Sequence, residues 1–194
     1  SHLMLRQVCS EKLVNALQTE PSALASLLKT TLDWQHAGDD RRIATLGDAA
    51  YPTTLLNIED PPLMLYMLGT MCTHPDMNTA ITHSLAIVGS RNPTSDGESN
   101  ARHFAKAFGE AGLCVVSGLA LGIDGASHEG ALLGGGETIA IVGTGLNRVY
   151  PKDHLTLAHR IAKQGMLVSE FPLGTPPLTT NFPKRNRIIS GLSL

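Results

Sequence analysis

Apolar positions fall into two regimes, short helical spacings broken by proline before residue 85 and repeated strand-length runs after it. In residues 5–37 the groups Leu13-Val14-Leu17 and Leu24-Leu27-Leu28, with Pro21 where a helix can begin, predict two short helices. Residues 38–84 turn to prolines and turn-formers, among them Tyr51-Pro52 and Asp60-Pro61-Pro62, around brief runs such as Leu63-Met64-Leu65-Tyr66. This stretch reads as a linker and extended lead-in, and its length predicts that part of it packs along the main domain.

From Leu85 the order is strand, glycine turn, helix, repeated. The runs 85–88, 113–116, 138–142 and 166–170 are strand-like, and the first three stop at Gly89-Ser90-Arg91, Ser117-Gly118 and Gly143-Thr144-Gly145. Between them, Ala101, Phe104, Ala105 and Phe108 form one stripe at i, i+3, i+4 and i+7. A second helix carries Ala126, Ala131 and Leu132 up to Gly134-Gly135-Gly136, and a third carries Leu155, Ala158, Ile161 and Ala162 on one face. Residues 85–194 are therefore predicted to form an α/β, Rossmann-like parallel sheet with helices on both faces, preceded by the small helical N-terminal segment. Ligands of such sheets sit at the carboxyl ends of the strands, near the point where strand order reverses.

The 194 residues suit one domain with a small appendage, and 42% hydrophobic content with 16% charge places the chain among folded proteins. A net charge of −2 and a pI near 6.4 exclude a uniformly basic nucleic-acid coat, so a polyanion would need a local cluster. Cys9, Cys72 and Cys114 are an odd set without a CxxC pair, which argues against a disulfide framework or zinc site and suits a reducing cytoplasm. No apolar run reaches the ~18–20 residues of a membrane span, so no membrane partner is expected. Residues 1–4, Ser1-His2-Leu3-Met4, read as the remnant of a cleaved affinity tag before a start methionine.

The strand-end turns carry the candidate chemistry. Gly143-Thr144-Gly145-Leu146-Asn147-Arg148 lacks the third glycine of a dinucleotide fingerprint, and no GxxxxGK[ST] segment exists, so neither cofactor is expected. The segment from Gly89 to Gly97 is a hydroxyl- and glycine-rich turn opening a helix, a place for phosphate, with Arg91 adding a fixed charge. The alternative is that Arg91 pairs with a local carboxylate. Asp124 and His128 stand at i and i+4, as a general-base pair or half a metal site would, but no third ligand converges. Ser117 lies near that pair, yet Val115 occupies the first position of a GxSxG elbow, which argues against a hydrolytic triad. The plainer reading makes Asp124 a helix cap and His128 a hydrogen-bonding partner of a neighbouring loop.

The densest basic cluster is Asn181-Phe182-Pro183-Lys184-Arg185-Asn186-Arg187. Lys184, Arg185 and Arg187 can neutralise phosphates, Phe182 offers a stacking face, and Asn186 can read a polar edge. Lys152, after Tyr150-Pro151, adds a cation to the same rim, and Ile188-Ile189 should be buried and anchor the cluster. A solvated basic turn is the alternative.

At these residues the chain resembles the DNA-processing protein A family, also called DprA or Smf. The shared pattern runs from Tyr51-Pro52, Asp60-Pro61-Pro62 and Tyr66 through Ile87-Val88-Gly89-Ser90-Arg91 with Gly97, and through residues 117–124 with His128 and Ala131-Leu132. It continues through Gly143-Thr144-Gly145-Leu146, Tyr150-Pro151-Lys152, Ser169-Glu170 and residues 182–192. The resemblance implies a non-enzymatic, sequence-independent binder of single-stranded DNA that forms a homodimer as a full-length protein and helps load the RecA recombinase in natural transformation. It places the DNA pocket at Gly89, Ser90, Arg91, Ser117, Gly118, Lys152, Phe182, Lys184, Arg185, Asn186 and Arg187. Thr179 stands where many relatives carry lysine, and the family's domain continues past the end of this chain, so later strands and any C-terminal module are expected to be missing. A nucleotide-ribose hydrolase of the lysine-decarboxylase-like kind is the alternative, but its Pro-Gly-Gly-x-Gly-Thr signature is approached only by residues 133–138.

Overall fold

The computed structural model describes residue 7, residues 9–74 and residues 77–194; the tetrapeptide 1–4 lies outside them. Helix α1 is Glu11–Gln18, started by the Ser10 hydroxyl accepting from the Leu13 N–H, and α2 is Leu24–His36. The lead-in then contributes β1 (Arg41–Thr45) and β2 (Met64–Leu68), followed by α3 (Met77–Thr82). Four strand–helix units follow: β3 (Ser84–Ala86), α4 (Ser95–Glu110), β4 (Cys114–Ser117), α5 (Ile123–Leu133), β5 (Thr138–Ile141), α6 (Leu155–Gln164), β6 (Met166–Ser169) and α7 (Asn181–Gly191).

All six strands form one sheet in the order β1-β2-β6-β5-β4-β3. β3 to β6 are parallel, as their continuous apolar runs predict, while β2 runs antiparallel to β6, with Tyr66 opposite Ser169, and β1 antiparallel to β2. The lead-in thus widens the sheet. Tyr51, 2% exposed, closes its turn by donating to the Pro62 carbonyl at 2.8 Å, which explains the tyrosine and the paired prolines.

Both faces are covered. Ile139 and Ile141 of β5, with Val116 and Val168, face Ile188 and Ile189 of α7, Leu192 at its C-terminal cap and Leu55 of a 3-10 turn. On the other face Ala140 and Leu167 meet Leu157, Ala158 and Ile161 of α6, while Val115 packs with Ala105 of α4 and Ala131 of α5. The parallel strands follow one another without the expected reversal, so there is no switch point; α4, α5 and α6 share one face, and α7 closes the other.

Two stripes differ in phase from their predicted ones. In α4 the buried residues are Ala101, Ala105 and Gly109, and Phe104 is 62% exposed, stacked on Phe108 at 6.3 Å. Space decides it: α4 packs on α5 through alanines, where a phenyl ring would force the helices apart. In α6 Leu157 takes the inward place expected of Leu155.

Candidate functional site

The strand ends and α7 enclose a cleft of about 760 Å³ whose walls include Val88, Gly89, Arg91, Tyr150, Thr179, Phe182 and Asn186. The basic cluster 181–187, expected on a loop, instead forms the opening turns of α7. Pro183 is compatible with this because a first-turn residue needs no intrahelical N–H bond. The inward positions are Asn181, Arg185, Ile188, Ile189 and Leu192, spaced i, i+4, i+7, i+8 and i+11. An arginine within that stripe hid the helix from a hydrophobicity reading.

Arg185 is 4% exposed and donates to the Gly118 and Ile141 carbonyls, with Asp124 Oδ2 3.8 Å from its Nη2. Burial pushes the Asp124 carboxyl up and the Arg185 guanidinium down, each opposed by the other's charge. Arg185 is therefore a nearly buried clamp in the floor of the cleft, its guanidinium tied to main-chain carbonyls. Gly118 must be glycine here, since a Cβ would occupy the guanidinium's place. Ser117, wholly buried, donates to the Ile87 carbonyl at 2.6 Å, so the second turn supports the site from behind. Asp124 accepts from the Ala120 N–H at 3.3 Å, but the cap position of α5 belongs to Gly122. At φ +77°, Gly122 meets the Ser90 carbonyl so closely that a side chain would not fit. His128 is fully buried and bonds Thr138 of β5 at 2.7 Å; since Thr138 donates to Val115 O, His128 Nδ1 is the donor. Burial first, then nearby positive groups, pushes its pKa down to about 3, so it stays neutral.

The other cations of α7 divide as well. Arg187 makes a bidentate pair with Glu170 at 2.7 and 2.8 Å and bonds the Asp60 carbonyl at 2.9 Å, which ties α7 to the end of β6 and to the lead-in. Lys184 is exposed, 3.6 Å from Glu170. Asn186 is exposed on the cleft wall.

The open side is built around Phe182. Its ring stands over Gly143, with the Arg91 guanidinium 5.4 Å from its centroid and the Tyr150 ring at 5.5 Å. Arg91 is exposed and has no carboxylate within ion-pair distance among the described residues. Ser90 accepts from the Asn92 N–H and, through its carbonyl, from Ile123, which fixes the turn bearing Arg91. The N-terminus of α4 is capped by Thr94 and carries Asp96 and Glu98 in its first turn, so any anion there depends on Arg91 more than on helix amides. Tyr150 escaped the sequence reading as a site residue, although an aromatic beside proline in a strand-exit loop was its signal. Lys152 lies outside the cleft wall, exposed on a 3-10 turn, Lys152–His154, that His154 anchors to the Leu119 carbonyl at 3.0 Å. Gly134-Gly135-Gly136 lies at the far end of the sheet, before β5, away from these groups.

Among the described residues no three His, Cys, Asp or Glu are grouped to hold a metal, and no helix is long and apolar enough to cross a membrane. The family model for DNA recombination-mediator protein A matches residues 42–194. The chain is similar to the Smf protein of Escherichia coli, 45% identical over 144 residues, which is 74% of this chain and 37% of that protein. It is also similar to the Bacillus subtilis DNA processing protein DprA, 42% identical over 74% of this chain and 46% of that protein. The chain thus spans less than half the length of these relatives. Among solved structures, DNA processing protein A of Streptococcus pneumoniae superposes with TM-score 0.76 at 32% identity, over 96% of this chain and 61% of that one. The Helicobacter pylori protein, described for its single-stranded DNA binding mode, gives 0.67 at 29% identity over 78% of this chain and 66% of that one.

Proposed function

Because the chain belongs to the DNA recombination-mediator protein A family, the DprA or Smf family, we propose that it binds single-stranded DNA without sequence preference through the cleft at the strand ends. The observation that carries this reading is the Arg91–Phe182–Tyr150 group, a half-buried ring between an exposed cation and an exposed ring on the wall of the cleft. A base that docks on Phe182 replaces an exposed cation–π contact, worth about 0.5–1 kcal/mol, by stacking worth about 1–3 kcal/mol. That exchange favours the base and releases Arg91 toward a phosphate. Gly89 and Ser90 let the backbone approach the strand, Asn186 meets a base edge, and Lys152 and Lys184 contact phosphates from the rim. Arg185, Arg187, Ser117 and Gly118 hold the walls. Thr179, on the cleft wall, contributes a hydroxyl.

No chemical step is assigned. The bound strand is then handed to the RecA recombinase in the cytoplasm during natural transformation, with two copies acting together. Titrating labelled single-stranded and blunt duplex oligonucleotides over a range of salt tests the binding reading. Preference for the single strand, with affinity falling as salt rises, is expected; equal affinity for the duplex overturns it.

A further inference from the structure

Several cations of this chain are neutralised by a neighbouring carboxylate. Arg102 pairs with Glu98 and Glu129, Lys106 with Glu110, and all three basic residues of α7 lie within 4 Å of a carboxylate. Among the described residues Arg91 is not neutralised in this way, and neither is a longer stretch further along the chain. Arg148, Lys152, Arg160 and Lys163 are consecutive cations along the chain, and among the described residues none has a carboxylate within 4 Å. The only acid between residues 148 and 164 is Asp153, and α6 itself has none.

The helix arranges these charges in space. Leu157, Ala158 and Ile161 are buried against the sheet, while Thr156, His159, Arg160 and Lys163 stand at i, i+3, i+4 and i+7 and are all exposed. The stripe continues the rim of the cleft, because the turn bearing Lys152 leads directly into α6 and begins two residues after Tyr150, one of the cleft walls. At about 1.5 Å of rise per residue, Lys152 to Lys163 covers about 16 Å. A solvated basic face needs no ligand, but an unpaired one continuous with a proposed nucleic-acid cleft, in a chain of net charge −2, is complementary to a polyanion that leaves that cleft.

We propose that the outer face of α6 is a second phosphate-binding surface, over which a single strand of DNA leaving the cleft runs past Lys152 toward Arg160 and Lys163. This rests on the reading of the cleft as a single-stranded DNA site. The test compares the full chain with its Arg160→Gln/Lys163→Gln variant, using thymidine oligomers of about four nucleotides, enough for the cleft, and about fifteen, enough for both surfaces. Both substitutions are at exposed positions, and equal melting temperatures verify folding. The short oligomer should bind both proteins alike. On the long one the variant's log–log salt slope should be shallower by about 1.4, two contacts at about 0.7 each, so affinity changes about sevenfold less between 50 and 200 mM salt. Identical slopes on the long oligomer, with the short one still bound, overturn the second surface alone. A wild type that binds neither oligomer overturns the cleft reading and this one with it. A variant that loses long duplex and long single strand equally also overturns a track built for a single strand.

Discussion

The two faces of α7 meet arginines in opposite environments. On the inner face Arg185 is out of water, its donors taken by two main-chain carbonyls and its charge opposed by Asp124. On the outer face Phe182 meets Arg91, which stays in solvent with no carboxylate beside it. The buried charge costs desolvation and repays it only through complete pairing, so it specifies one position of the helix; the exposed one costs little and stays available. A basic cluster in a sequence is thus not one electrostatic unit. Here burial divides it into a clamp and a contact surface, and the clamp sets where the contact surface stands.

The strongest test of this division is Arg185→Met. Removing one member of a buried pair leaves Asp124 uncompensated and should cost about 3–5 kcal/mol in urea unfolding. A variant of unchanged stability that binds DNA less well would move Arg185 to the outer face. His128 sharpens the inner side further. Its pKa in the folded chain is about 3, against an ordinary value near 6.5. The unfolded chain takes up a proton below pH 6.5 that the native one refuses until about pH 3. Its contribution to stability is therefore complete above pH 6.5 and is lost as pH falls through that window, by at most about 1.4 kcal/mol per pH unit. His128→Gln should flatten this part of the stability–pH curve, and an unchanged curve would show that His128 is protonated in the fold.

Phe182→Ala addresses the outer face. It should cost about 1–3 kcal/mol of DNA affinity with a small change in melting temperature. A large loss of stability with normal affinity per folded molecule would place the ring with the clamp. The smallest effect is expected for Arg91→Ala, one phosphate contact, seen as a salt slope shallower by about 0.7 and equal for all sequences. Sequence-dependent loss would mean that Arg91 reads bases.

The alternation of apolar runs with glycine turns was enough to establish four parallel strands, and every strand run read from residues 85–170 lies where a strand or its immediate end stands. Ile188 and Ile189 were legible as anchors for the same reason: long apolar side chains next to a charged cluster must leave water. The turns Gly89-Ser90-Arg91 and Ser117-Gly118 were legible as strand ends, but whether a turn faces ligand or interior was not. That choice depends on Arg185, 67 residues beyond Gly118, swinging under the sheet end. Likewise β1 and β2 looked like a lead-in because each is five residues long among prolines, and only pairing with β6 makes them strands. Local sequence determines backbone preference and which side chains need a partner. The identity of the partner is decided by contacts distant in the chain, and here those contacts determine which arginines remain open to solvent.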